Sequence, residues 1–167
     1  MAESILHYDS PLGLLEIVGT ETHVTSVLFP ETEKRPRQPR PATTETSPPL
    51  RECAAQLEAY FSGGLQDFNL PMQPAGTAFQ RKVWAELLNI SFGKTVSYLH
   101  LARALGDEKC IRAAASANGQ NPLTILVPCH RVIGSDGKLV GYGGDLWRKQ
   151  WLLEHEQTHT VGKWRLF

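Results

Sequence analysis

The sequence predicts an α+β fold, with a small N-terminal antiparallel-sheet domain followed by a mostly helical C-terminal domain that contains a helix-turn-helix. Three observations lead there. Short β-prone runs parted by turn residues fill the first 29 positions. A proline-rich stretch then interrupts the pattern, and beyond a second Pro/Gly break the apolar residues recur at helical spacing. Residues 1–70 are accordingly expected to form the first domain, 71–76 a linker and 77–167 the second domain.

Within the first domain, residues 5–8, 14–18 and 24–29 are the β-prone runs, separated by turn formers such as Pro11 and Gly13. Between positions 30 and 49 stand six of the eleven prolines among Glu, Lys, Arg, Thr and Ser, a composition that predicts a flexible loop and not core. Its Lys34, Arg35, Arg37 and Arg40 are expected to be solvated, with contact to nucleic acid as the alternative. Residues 50–61 show helical apolar spacing that stops at Ser62-Gly63-Gly64.

After the linker, Thr77 opens a helix with Gln80 at the capping-box position, and Phe79, Val83, Leu87 and Ile90 form its apolar face. A second helix is expected from near Ser97 through Leu105 to Gly106, and a third from the acidic turn Asp107-Glu108 through Cys110 to Ala117. Two short helices joined at a glycine-containing turn have the layout of a helix-turn-helix, although many packed helix pairs share it. The apolar run 123–127 reads as a buried strand. A last helix over residues 146–156 carries Trp147 and Trp151 one turn apart, placed by this reading in the core.

The 167 residues suit one ordinary domain or two small ones, and no apolar run reaches the roughly 18 residues that span a bilayer. The N-terminus, with Glu3 and Asp9 among its apolar residues, lacks a signal-peptide pattern, so a cytoplasmic location and no membrane partner are expected. Three cysteines, Cys53, Cys110 and Cys129, make an odd count without a C-x-x-C pair, which argues against a disulfide framework or zinc ribbon and for a reducing compartment. The net charge of zero hides an asymmetry: residues 1–76 hold 5 Lys+Arg against 10 Asp+Glu, and residues 77–167 hold 12 against 7. The halves therefore carry −5 and +5, and a basic second half is what a phosphate-contacting surface requires.

The segment Val127-Pro128-Cys129-His130-Arg131-Val132-Ile133 sets a thiol beside an imidazole and a guanidinium. A free cysteine has a pKa of about 8.5, so a reactive thiolate at neutral pH calls for a basic or cationic neighbour, and His130 and Arg131 are placed to supply one. Adjacent side chains on an extended chain point to opposite faces, so direct contact between Cys129 and His130 requires a bend or a bridging water. Upstream, Arg112-Ala113-Ala114-Ala115-Ser116-Ala117-Asn118-Gly119 is almost free of large side chains, a slim helix suited to the narrow minor groove or to tight helix packing.

From Asn121-Pro122 through Pro128-Cys129-His130-Arg131 to Gly141-Tyr142-Gly143-Gly144, the chain resembles the O6-alkylguanine-DNA alkyltransferases, the methylated-DNA--protein-cysteine methyltransferases that lift an alkyl group off a damaged base onto their own cysteine. The resemblance is strong over residues 79–156 and one of layout only in the N-terminal half. It implies a DNA repair protein that flips O6-alkylguanine, and O4-alkylthymine as a second substrate, out of the duplex and transfers the alkyl group irreversibly to Cys129, once per molecule. It also assigns roles: Cys129 as nucleophile, His130 as base through a water, Glu156 (with Glu154 a nearby competitor) orienting His130, and Asn121 tying the recognition helix to the active-site segment. Tyr98 would press on the 3′ phosphate of the flipped nucleotide and serve as a donor to the leaving guanine. Arg112 would fill the gap left by the base, on a helix that meets DNA through Ala113, Ala114 and Ser116. Tyr142, Gly143, Gly144 and Val132 would line the base pocket. Some relatives hold a structural zinc in the first domain, but here that half offers only Cys53, His7 and His23, so no metal and no cofactor are expected. Double-stranded DNA is the expected partner, and a monomer that binds it singly or cooperatively is the expected form.

Two other classes use parts of the same pattern. A papain-like hydrolase would place its histidine far away in sequence and turn over repeatedly on acyl substrates. A purely DNA-binding helix-turn-helix module has no need of a reactive thiol. Cys129 argues against the second and its adjacent His130 against the first.

Overall fold

The computed structural model describes residues 2–164, with side chains described through Thr160. The chain forms two compact units: one runs to Ala75 and also takes in Pro122–Leu126, and the other comprises Gly76–Asn121 and the residues from Val127 onward.

The first unit is built on β1 (Ser4–Ser10), β2 (Gly13–Gly19) and β3 (Val24–Leu28), antiparallel in the order β1-β2-β3. Ser10 and Gly13 close the β1–β2 hairpin, where Gly13 takes a φ of 108°, a left-handed value that glycine adopts without a Cβ clash. Helix α1 (Pro48–Phe61) buries Leu50, Cys53, Leu57 and Tyr60, spaced three and four residues apart along one stripe. Full burial pushes the Cys53 thiol up to about 12, which leaves it an inert apolar group.

The central strand also buries a charge, Glu16, which is 1% exposed. Its partners come from the proline-rich stretch. The Arg37 Nη2 lies 2.9 Å from Oε2, the Arg40 backbone N–H donates to Oε1 at 2.7 Å, and the Arg40 guanidinium stands 3.6 Å away. Burial alone would raise the Glu16 carboxyl, but these donors outweigh it and hold the group below its ordinary value. Farther on, Thr43 exchanges hydrogen bonds with the backbone of Ile5 at the start of β1. The stretch expected to be a solvated loop is therefore fastened to the sheet at both ends, and Arg37 and Arg40 are structural cations. The sequence concealed this because a glutamate within the β-prone run 14–18 looks like an ordinary alternation residue.

The apolar run 123–127 is buried but is not a strand. Val27 N–H donates to Pro122 O and Thr124 N–H to Val27 O, a single bridge to β3, and Ile125 then turns the chain at a φ of 74°. A left-handed β-branched residue is costly, so extended pairing ends there.

In the second unit, Thr77 and Gln80 form the expected capping box of α2 (Ala78–Leu87). Its buried face is Val83, Trp84 and Leu87, with Ile90 buried beyond its end, whereas Phe79 is 37% exposed. Trp84 is anchored by its indole N–H on Ala117 O at 2.8 Å. Two residues of β4 (Val96–Ser97) lead into α3 (Tyr98–Ala104), capped by the Ser97 hydroxyl. Gly106, at a φ of 103°, reverses the chain, and a short 3-10 turn Glu108–Cys110 leads into α4 (Ile111–Gly119). Strand β5 (Val132–Ile133) pairs parallel with β4, so the residues just before Tyr98 lie beside those just after Arg131. The last helix, α5 (Leu146–Trp164), continues past the expected end at Glu156. Trp147 is 49% exposed with the Arg148 guanidinium over its ring at 4.7 Å, so its expected place in the core is corrected.

Removing the Glu16 carboxylate leaves the Arg40 N–H and the Arg37 guanidinium without their acceptor. Glu16→Ala is expected to cost about 1–3 kcal/mol of stability and Arg37→Ala less, because the Arg40 backbone keeps its bond. Urea unfolding of the two variants and the parent checks the order.

Candidate active site

Cys129 opens a 3-10 turn, Cys129–Arg131, and is 5% exposed. Its N–H donates to Val127 O at 2.8 Å, which bends the chain at the position where an extended strand would send Cys129 and His130 to opposite faces. Two asparagines from the C-terminal end of α4 hold this bend. Asn121 Nδ2 donates to Val127 O at 2.8 Å, and Asn118 Nδ2 donates to Cys129 O at 3.3 Å.

Glu156 of α5 is 1% exposed and meets two side chains and a backbone N–H of this unit. His130 Nε2 lies 2.7 Å from Oε2, Arg131 Nε donates to Oε1 at 2.8 Å and its Nη2 to Oε2 at 3.0 Å, and the Gly93 N–H reaches Oε1 at 3.2 Å. Burial would raise the Glu156 carboxyl, yet the hydrogen bonds and charges of His130 and Arg131 hold it well below the usual carboxylate range. Burial lowers the pKa of His130 against the opposing pull of Glu156. A neutral imidazole beside an acceptor-only carboxylate carries its proton on Nε2, which leaves Nδ1 as a lone pair. That Nδ1 atom is buried without a protein partner. Glu154 is exposed and accepts from Gln150, so the competing orienting residue is excluded.

Burial pushes the Cys129 thiol up, against the lowering effects of the Asn121 amide, the Lys149 charge and two backbone donors. The cation expected from Arg131 is corrected here: that guanidinium is committed to Glu156 and, at 2.7 Å, to Ile90 O. The positive charge beside the thiol belongs to Lys149, which the sequence reading missed. Lys149 is 0% exposed, with Nζ donating to Val132 O at 2.6 Å, Val140 O at 2.9 Å and Gly141 O at 3.4 Å. Burial lowers its pKa to about 8, so it is still protonated at neutral pH. The available signal was its place on the stripe Lys149, Leu152, Glu156 of α5, a lysine at a core-facing position.

The same three carbonyls border the region expected to form the pocket. Tyr98 OH donates to Val140 O at 2.9 Å, and burial followed by the nearby Cys129 raises its pKa, so it remains a phenol. Tyr142 is 8% exposed with a hydroxyl that has no partner, and its pKa is raised well above the ordinary value, chiefly by burial. Gly141 has a φ of 58°, and a Cβ there would stand 3.5 Å from the Tyr98 hydroxyl. Gly144 is buried and accepts from Arg148, Gly143 is exposed, and Val132 is fully buried with its carbonyl on Lys149.

Along α4, Arg112, Ala113 and Ser116 are exposed on one face, which continues through Gly119 and Gln120. Ala114 is 0% exposed, so its expected contact with DNA is corrected: its methyl group packs inward. Within α4 itself, Arg112 is the one long side chain on the exposed face.

The 6-O-methylguanine DNA methyltransferase family matches this chain twice, its DNA binding domain over residues 78–158 and its ribonuclease-like domain over residues 6–74. The chain belongs to this family. It is 42% identical to the methylated-DNA--protein-cysteine methyltransferase of Mycolicibacterium paratuberculosis, over 95% of each chain. With the protein of the same name from Methanosarcina barkeri it shares 42% identity over 92% of this chain and 99% of the other. The crystal structure of Mycobacterium tuberculosis OGT in complex with DNA has a TM-score of 0.80 to it, at 41% identity and 92% coverage of both chains.

In the first unit, His7 contacts Arg40 O, His23 contacts Thr22 and Cys53 is in the core. Among the described residues, no group of three or more His, Cys, Asp or Glu is placed to hold a metal ion.

The ionised Glu156 and neutral His130 make stability pH-dependent with one sign. Each has a folded pKa below its ordinary value, 6.5 for His130 and 4.5 for Glu156, so the unfolded chain binds the proton more tightly. Their contribution is complete above pH 6.5 and is lost on acidification, first through His130 and then through Glu156. Glu156→Gln is expected to flatten the part of the profile below about pH 4.5, as read by urea unfolding between pH 3 and 7.

Proposed function

We propose that this protein repairs DNA as a methylated-DNA--protein-cysteine methyltransferase, taking the alkyl group of O6-alkylguanine onto Cys129 in a single, irreversible event. The observation that carries the reading is a buried thiol at a bend, beside a neutral histidine whose Nδ1 is bare and whose Nε2 is held by an ionised glutamate.

In this reaction the Cys129 proton passes through a bridging water to His130 Nδ1, and Glu156 stabilises the imidazolium that results. Lys149 offsets the charge of the thiolate, which burial otherwise disfavours. The sulfur attacks the alkyl carbon, the S–C bond forms as the C–O6 bond breaks, and the electron pair leaves on the base. Tyr98, still a phenol, donates to the departing guanine, and the proton taken from Cys129 balances the charge. The product is a thioether. No base in the site removes a group from a thioether, so the molecule acts once.

The base can reach Cys129 only outside the duplex, and flipping it costs a few kcal/mol. The exposed face of α4, narrow except for Arg112, suits the minor groove, with Arg112 filling the vacated stack. The +5 charge of residues 77–167 suits a phosphate surface. The reading extends to O4-alkylthymine as a second substrate, to a monomer that binds alkylated duplex, and to a cytoplasmic setting whose reducing poise keeps Cys129 a thiol. Among the described residues, no helix is long and apolar enough to cross a membrane.

Incubation with a duplex bearing O6-methylguanine, followed by peptide mass analysis, is expected to add one CH2 to the peptide containing Cys129. Cys129→Ser should abolish this transfer while keeping affinity for alkylated duplex, and Cys53→Ser should retain it; full transfer by Cys129→Ser would overturn the reading. Arg112→Ala should slow transfer from duplex about tenfold or more, about 1.4 kcal/mol or more of lost gap filling, and leave transfer from the free alkylated base nearly unchanged. An equal loss on both substrates would place Arg112 in the fold or the pocket instead.

A further inference from the structure

Asn118 is 1% exposed and has one amide end engaged, Nδ2 on the Cys129 carbonyl at 3.3 Å, and one end bare, because Oδ1 is buried with no partner. The orientation of the amide is fixed by that contact, since turning it over would set two carbonyl-type oxygens 3.3 Å apart. The same amide lies within reach of the Tyr98 hydroxyl, which in turn stands close enough to Cys129 for that thiol to raise the Tyr98 pKa. Oδ1 is thus an unpaired acceptor, shielded from water, on a residue whose other amide end holds the nucleophile turn. Such an atom sacrifices its hydration without return unless a donor arrives.

We propose that Asn118 is a specificity residue of the base pocket, whose Oδ1 accepts a hydrogen bond from the exocyclic 2-amino group of the flipped guanine while Nδ2 keeps the Cys129 carbonyl in place. The inference rests on the alkyl-transfer reading above and goes beyond it by naming what the pocket reads. Alkylation at O6 removes the proton from N1, so the 2-amino group is the one donor left on the pairing edge of the damaged base. O4-alkylthymine has no donor on that edge. A buried acceptor therefore favours the purine, in the way that a site built to pair a substrate N–H rejects an analogue lacking it.

The test compares transfer from two duplexes that differ by that amino group, one with O6-methylguanine and one with O6-methylhypoxanthine, using the full chain. The parent protein is expected to react about tenfold faster with O6-methylguanine. Asn118→Leu, which removes both amide ends, should bring the two rates close together. Asn118→Asp keeps an acceptor and loses the donor, so it should lower both rates while preserving their ratio. Partial loss of folding scales both rates equally and leaves the ratio intact, so the ratio reports on recognition alone. Equal rates in the parent protein, a parental ratio in Asn118→Leu, or a collapsed ratio in Asn118→Asp would each overturn the inference while leaving the transfer reading standing. No transfer from either duplex by the parent protein would sink the transfer reading and this inference with it.

Discussion

The carboxylate of Glu156 organises the site because burial forces it to. A carboxylate that is 1% exposed must be surrounded by donors or give up its charge, and beside the Gly93 N–H its side-chain partners here are the two residues immediately after the nucleophile. His130 and Arg131 are thereby drawn to the same carboxylate, which adjacent residues on a straight strand could not both reach, and the turn that allows it opens at Cys129. The 3-10 turn, the protonation of His130 on Nε2 and the bare Nδ1 all follow from satisfying one buried anion. Arg131 completes the arrangement by donating from Nη1 to Ile90 O, which ties the turn to the segment following α2.

A second set of constraints approaches the turn from α4. Asn118 and Asn121 stand three residues apart and hand their amides to Cys129 O and Val127 O. The C-terminal end of α4 and the backbone of the nucleophile turn are consequently joined directly by two asparagine side-chain hydrogen bonds. In the proposed reaction, the helix that grips the DNA is the same rigid body that sets the height of the sulfur, so docking and alignment are one event rather than two.

Much of this was legible in the sequence. The three strands, α1, the capping box at Thr77 and the glycine turn before α4 follow from local pattern, the adjacent cysteine and histidine from a motif with a chemical reason behind it, and the distal glutamate from the family resemblance. The misses share a cause: they depend on which partner a residue finds in space. Glu16 reads as a solvent-facing strand residue until Arg37 and Arg40 arrive from more than twenty positions away. Lys149 reads as helix surface until three carbonyls from two segments enclose its ammonium group. Ala114 and Phe79 exchange the expected inside and outside because helix rotation is set by packing against neighbours, and apolar spacing bounds it only to within a residue or so. The run 123–127 has the composition of a strand, but Ile125 in a left-handed conformation ends any ladder after one bridge.

The chain leaves the second unit after Asn121, lends Pro122–Leu126 to the first, and returns at Val127, with the Asn121 amide clasping the two ends of the excursion. The peptide backbone thus passes between the units three times, not once. Leu123, Ile125 and Leu126, all nearly fully buried, sit beyond the point where a cut in the linker would sever the molecule. Such a cut frees a fragment that carries the whole reactive constellation together with an orphaned apolar strip five residues before Cys129. The two family regions, although each is recognisable by itself, share chain: the nucleophile's own polypeptide supplies part of the other unit's core.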